Sequence, residues 1–198
     1  MSREQARQRI LGAAVRTLAS EGYAKTSARA IARTGGFAPG IIYYHFTDLD
    51  DLFVETARFT SQARLRRYQA ETDGVTSAAE LVATLRRLYA EDGAQGHIAA
   101  VQELAAAATT SPALARQVGA ETARWQDFAE GVIDGLLERH GGPLAALVPT
   151  RELATMAVAA YLGMEMLSHL DADRHAPNAM FAAAERVAAL IDALRPAR

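Results

Sequence analysis

The sequence predicts an all-α protein with a small N-terminal three-helix head and a larger C-terminal helical part. Three observations carry that prediction. Apolar residues recur at helical spacing, segment after segment, with cap signals at the ends. No stretch shows the apolar–polar alternation of a strand. Ala is abundant and Arg supplies twenty of the twenty-one positive charges, Lys25 being the exception; both Ala and Arg are good helix formers.

The elements follow in order. Ile10, Leu11, Ala14, Val15 and Leu18 give a helix over 3–21, and Gly22 suits its left-handed stop. Thr26 and Ser27 cap a second helix running to about Thr34, with Ala28, Ile31 and Ala32 inward. Gly35 and Gly36 permit a sharp turn. Pro39 suits the first turn of a third helix, which carries Ile42, Tyr43 and Phe46. Asp48 caps a fourth over 49–72. Ser77 and Glu80 form a capping box ahead of Leu81, Leu85 and Leu88. Gly93 and Gly96 are expected to separate that fifth helix from one over about 97–108. Ser111-Pro112 opens a seventh, 140–149 is read as a loop, and two last helices are expected over about 150–170 and 177–195. The predicted division is a head over 1–48, a linking helix over 49–72 and a C-terminal domain over 73–198.

Charge separates the two ends of the chain. Residues 1–47 carry Arg3, Arg7, Arg9, Arg16, Lys25, Arg29 and Arg33 against only Glu4 and Glu21, whereas the remainder carries fourteen positive and twenty-one negative side chains. The overall charge of −2 therefore hides a basic end. With no cysteine, disulfides, thiolate metal sites and Cys nucleophiles are excluded. The opening MSREQARQRI lacks the apolar core of a secretory signal, and no apolar run reaches the ~18 residues of a membrane span, so a cytoplasmic protein without membrane partners is expected.

A short helix, a tight turn and a second short helix is a device for placing one helix in the major groove of DNA. The segment resembles the tetracycline-repressor (TetR) family of transcription regulators. The family pattern is matched at Gly22, Tyr23, Thr26, Ser27, Ile31, Ala32, Gly35, Gly36, Gly40, Ile42, Tyr43, His45 and Phe46. The resemblance implies a homodimeric DNA-binding regulator and not an enzyme. Its two recognition helices would enter successive major grooves of a palindromic operator to repress, and a small molecule held in the C-terminal domain would release it; an activator, or a regulator without a ligand, is the alternative with the same fold. No cofactor is implied. Two positions depart from the pattern. Leu49 stands where the family commonly has a phosphate-contacting Lys, and Ala38 where a Ser or Thr caps the recognition helix.

From Ala38 to Phe46 there is no Arg, Lys, Asn or Gln, the side chains that make bidentate contacts to base edges. The recognition helix is thus expected to read shape and apolar contacts, with Gly40 admitting close approach and Pro39 and Ile41 touching thymine methyls. Arg29, on the preceding helix, is a candidate for a guanine contact, with phosphate contact or simple solvation as the alternative. Tyr43, Tyr44 and His45 are candidates for phosphate. Thr26 and Ser27 lie at a helix N-terminus, where side chain and backbone N–H can hold phosphate together.

In the C-terminal part, Tyr89, His97, Val101, Leu104, Trp125, Phe128 and Tyr161 are candidate liners of an apolar effector pocket, with core packing as the alternative for each aromatic. Gln102 and Glu103 could orient a ligand there. On the last helix Met180, Ala184, Val187, Ile191 and Leu194 form a heptad-like seam. Leu153, Met156, Ala157, Ala160, Met164 and Leu167 form a similar stripe on the helix before it. Together they suggest a four-helix dimer interface. One feature points to a different class. His169, Asp171, Asp173 and His175 cluster over 169–175, where imidazole and carboxylate could take zinc or manganese, as a metal-dependent enzyme would.

Overall fold

The computed structural model describes residues 2–140, 148–170 and 175–193. Among these residues there are nine α-helices, a single 3-10 turn at Tyr23–Lys25 and no strand. Helices α1 (Arg3–Glu21), α2 (Ala28–Gly35), α3 (Gly40–His45) and α4 (Leu49–Thr72) follow the predicted spans closely. They are succeeded by α5 (Ala78–Ala94), α6 (His97–Ala107), α7 (Pro112–His140), α8 (Thr150–Leu170) and α9 (His175–Ala193). Asp171, Asp173 and Leu194 lie outside the described residues. The two glycines expected to end α5 divide the task. The helix runs through Gly93, and the chain breaks at Gly96, which takes φ +78°. A Cβ on Gly96 would come within 2.9 Å of Ala19 Cβ, so the entry to α6 lies close against α1.

The chain forms two compact units. The first comprises residues 1–64 and 91–121, the second residues 65–90 and 122–198. In the first, Ile10, Leu11 and Ala14 of α1 pack with Ala28 and Ile31 of α2, Ile42 of α3, Phe46 and Leu52 of α4. Fully burying one such Ile or Leu is worth about 1.5–3 kcal/mol, so this cluster fixes α2 and α3, two short helices that would be marginal alone, against α1 and α4. A neighbouring cluster joins Val15, Leu18, Phe53 and Ala57 to Ala100, Leu104 and Ala107 of α6 and Leu114 of α7. The three-helix head is therefore built into a unit that includes α6.

Several buried polar groups of the first unit are paired. Thr17 and Thr56 donate to the carbonyls one turn back, at 2.8 and 2.7 Å. Arg64 Nε donates to Asp92 Oδ2 at 2.6 Å in a pair that is almost wholly buried. Thr60 Oγ1 lies 2.6 Å from His97 Nδ1.

The second unit has two aromatic clusters. Tyr68 meets Trp125 edge-on with ring centroids 5.0 Å apart, and Phe128 joins both. Tyr89 packs against Tyr161 and Phe181, and its hydroxyl donates to the buried carboxylate of Glu165. The predicted capping box at α5 is present in a modified form. Ser77 Oγ accepts from Glu80 N–H at 3.1 Å, while Glu80 reaches back to Thr76 N–H at 3.2 Å. Asp192 of α9 adds a second cap, its two oxygens each accepting at 2.9 Å from Ala78 N–H and Ala79 N–H. Helices α8 and α9 pack on each other, and no helix among the described residues is long and apolar enough to cross a membrane.

Candidate nucleic-acid interface

The helix-turn-helix is fixed from the backbone outward. Ser27 caps α2, its Oγ accepting from Ala30 N–H at 3.2 Å. Thr26 is buried and donates its hydroxyl to Gly22 O at 2.7 Å, which ties the preceding turn shut. At the other end of α2, Gly36 takes the left-handed conformation at φ +65° and Phe37 N–H reaches back to Ala32 O at 3.1 Å. That is a Schellman stop, and a Cβ at Gly36 would strain it. The neighbouring Gly35 is required for another reason. The Phe37 ring lies where its Cβ would be, only 2.0 Å away.

The next helix starts without a side-chain cap, Ala38 O and Pro39 O accepting from the N–H groups of Ile41 and Ile42 at 3.0 and 3.1 Å. Ile42 and Phe46 point into the core. What remains outward is Pro39, Gly40, Ile41, Tyr43 and Tyr44, with Tyr43 57% and Tyr44 73% exposed. Both tyrosines therefore lie outside the apolar cluster that holds the unit together. A Cβ placed on Gly40 would meet nothing within 4 Å, so packing within the chain does not require glycine there. His45 is half-buried beside Tyr44, with its Nδ1 unpaired.

The cations of this end separate by partner. Arg7 pairs with Glu55, Arg33 with Glu21 at 2.7 Å, and Arg9 donates to Gly35 O and Gly36 O at 2.7 and 3.1 Å. Arg29 is exposed and has no acidic or hydrogen-bonding partner among the described residues. Asp48 caps α4 through Asp51 N–H at 2.8 Å, and Asp51 returns to Thr47 N–H at 2.9 Å. Leu49, at the position where the family pattern places a Lys, packs against both apolar clusters, so it cannot reach a phosphate. Burial and the nearby Asp50 carboxylate push the Tyr23 phenol up, and the Tyr23 ring meets Phe53 at a tilt with centroids 4.8 Å apart.

The residues predicted to line an effector pocket are divided between the units. Leu104 is core of the first unit, His97 is engaged with Thr60, and Val101 lies in the same unit. Glu103 is committed to Tyr23 N–H, whose proton it accepts at 2.6 Å. Tyr89, Trp125, Phe128 and Tyr161 belong to the second unit. A groove of about 670 Å³ opens there, lined by Val75, Leu81, Phe128, Val132 and Leu136 together with Asp73 and Arg139. Its size falls within the range of small-molecule sites. Of the predicted liners only Phe128 takes part in it. No group of three or more His, Asp or Glu residues among the described ones could hold a metal ion.

On α8 and α9 the predicted stripes are largely exposed. Met156 is 64% and Val187 55% exposed, and Leu153, Leu167, Met180 and Ile191 are also open. Met164 differs: it is buried within its own subunit and helps hold α8 in place.

An all-helical chain with a basic helix-turn-helix whose second helix shows its apolar and aromatic side chains to solvent defines a DNA-binding transcription regulator. Residues 10–56 match the family model described as bacterial regulatory proteins, tetR family. The chain is 29% identical over 154 residues to the HTH-type transcriptional repressor AcnR of Corynebacterium diphtheriae, covering 75% of this chain and 73% of that one. It is 42% identical over 52 residues to the HTH-type transcriptional regulator AcrR of Shigella flexneri, a match confined to 26% of this chain and 24% of that one. The fold is shared with the transcriptional regulator FadR of Bacillus subtilis, solved in complex with stearoyl-CoA, at a TM-score of 0.73 and 17% identity over 95% of this chain and 98% of that one. Residues 10–56 thus form a DNA-binding head of the tetR-family type, and the chain is similar to transcription regulators in sequence and to FadR in fold.

Proposed function

We propose that the protein is a cytoplasmic, homodimeric repressor that grips a palindromic operator with two heads and lets go when a small molecule binds. The observation that carries this reading is the outward face of α3. Pro39, Gly40, Ile41, Tyr43 and Tyr44 are exposed and lie outside the apolar core. In the proposed complex Pro39 and Ile41 touch thymine methyls and Arg29 reads a guanine. Tyr43, Tyr44, His45 and Ser27 hold phosphates, with Thr26 fixing the turn that presents Ser27. The repressor role is supported by the likeness to AcnR over three quarters of the chain.

Residues 1–48 serve as the reading head, 49–72 as the linking helix, and 73–198 as the effector and dimer domain. Dimerisation is assigned to the exposed face of α8 and α9. Effector binding is assigned to the second unit, where the groove beside Phe128 and the cluster of Tyr68, Trp125 and Phe128 supply apolar surface. The ligand-bound state of FadR supports a small-molecule partner. An effector acts only through its differential affinity for the DNA-bound and free forms, typically about 1–3 kcal/mol of coupling.

Selection of duplexes from a random pool tests the reading. A palindrome should be recovered, with two chains bound per duplex by sedimentation. Recovery of a non-palindromic site, or of no preferred sequence at low salt, would overturn it. A compound that bound tightly yet left operator affinity unchanged would contradict release by ligand.

A further inference from the structure

Three arginines near the start of α1 each lie over an aromatic ring of the helix-turn-helix or the residue that closes it. Arg7 lies 5.2 Å from the Phe46 centroid, Arg9 5.8 Å from Phe37 and Arg3 5.9 Å from Tyr44. All are within the ~6 Å over which a ring face attracts a cation. Two of the three have further work inside the chain, Arg7 with Glu55 and Arg9 with the carbonyls of Gly35 and Gly36. Arg3 has neither an acidic nor a hydrogen-bonding partner among the described residues. Its ring partner is the most exposed large apolar or aromatic side chain described, and it stands on the helix assigned to the DNA groove. The first turn of α1 is itself ordered. Ser2 Oγ accepts from Gln5 N–H at 3.1 Å and Gln5 Oε1 accepts from Ser2 N–H at 2.8 Å. A fixed first turn and a ring beneath the guanidinium hold an unneutralised charge beside Tyr44, on the surface that would face the duplex.

We propose that Arg3, resting on the Tyr44 ring, binds a backbone phosphate of the operator, so that α1 adds a contact lying outside the helix-turn-helix. The guanidinium suits this task, since two of its N–H groups can reach a phosphate's oxygens while the ring supports its face. Such a contact positions the head and carries no sequence information. It also offsets, from another element, the phosphate contact that Leu49 cannot make. The inference rests on the DNA-binding reading of the head.

The test measures binding of the full chain by fluorescence anisotropy, on a duplex recovered by selection and on an unrelated duplex, across a salt series. Arg3→Ala should weaken both duplexes alike and lower the slope of log K against log salt by about 0.9 for each phosphate that Arg3 neutralises. Arg3→Gln serves as a second variant, with helicity by circular dichroism checked for each. Removing the ring by Tyr44→Ala should make a subsequent Arg3→Ala change nearly silent, because the guanidinium is no longer held. An unchanged salt slope in both Arg3 variants overturns the proposal while leaving the head's DNA binding intact. Weakening confined to the selected duplex overturns it too, since Arg3 would then be reading bases. If the unaltered protein binds neither duplex, the DNA-binding reading fails first and this proposal with it.

Discussion

Arg29 and Arg33 sit one turn apart on α2, and the chain treats them differently. Arg33 is held by Glu21, while Arg29 is exposed and free of any partner among the described residues. A charge kept free beside the reading helix is available to a base edge. Arg29→Ala should therefore cost about 1–3 kcal/mol on the selected operator and relax its preference at one base pair. Competition binding against single-base operator variants measures this. An equal loss on every duplex would make Arg29 a phosphate contact instead. Gly40 poses a sharper test. Since a Cβ there meets nothing, Gly40→Ala should leave the melting temperature unchanged or slightly raised, alanine being the better helix former by about 1 kcal/mol. The same change should weaken operator binding at least tenfold if backbone and bases come close at this point. A variant that kept both its stability and its operator affinity would remove Gly40 from the interface.

At the scale of elements, the helices were legible because their signals are local. Ser27, Asp48 and Ser77 cap where the sequence places caps, and Gly36 stops α2 where the glycine pair predicts a turn. The 3-10 turn at Tyr23–Lys25 left no periodic trace, being only three residues long. The outward face of α3 was legible too, because its buried positions, Ile42 and Phe46, follow helical spacing. What could not be read was which helix meets which. Glu103 looks like a solvated or ligand-facing residue until α6 packs against α1 and brings it to Tyr23 N–H. Arg64 and Asp92, twenty-eight residues apart, gave no sign of pairing, because periodicity describes one helix and not its neighbour. That pair ties α4 to α5, and its geometry predicts a large penalty on breaking it. Asp92→Ala should cost about 3–5 kcal/mol, since it takes a carboxylate away from a buried guanidinium. Urea unfolding checks this. Replacing both residues by Arg64→Met and Asp92→Leu should recover much of the loss, and a double variant as unstable as the single one would place the penalty elsewhere.

For the molecule as a whole, the deciding quantity is how many heads touch the duplex at once. Met156, Met166 and Leu190 are 64%, 68% and 66% exposed, and they belong to an apolar surface on α8 and α9 that water would otherwise have to cover. In the proposed dimer a second copy of the chain covers this surface and makes two heads from one sequence, so that two-fold symmetry on protein matches two-fold symmetry on DNA. Joining two weak contacts makes the second one intramolecular, which raises avidity by about 10²–10⁴ with no new contact to DNA. Met156→Glu combined with Val187→Glu places a charge on each of the two helices, at positions already open to solvent in the isolated chain, so folding of the chain should survive. The variant should sediment as a monomer, keep its helicity and lose at least a hundredfold in affinity for a full palindrome. Its affinity for an isolated half-site should match that of the unaltered protein, because a single head still makes every contact it made before. If the monomeric variant held the full palindrome as tightly as the dimer, paired heads would not be the source of operator affinity, and the symmetry of the operator would need another cause.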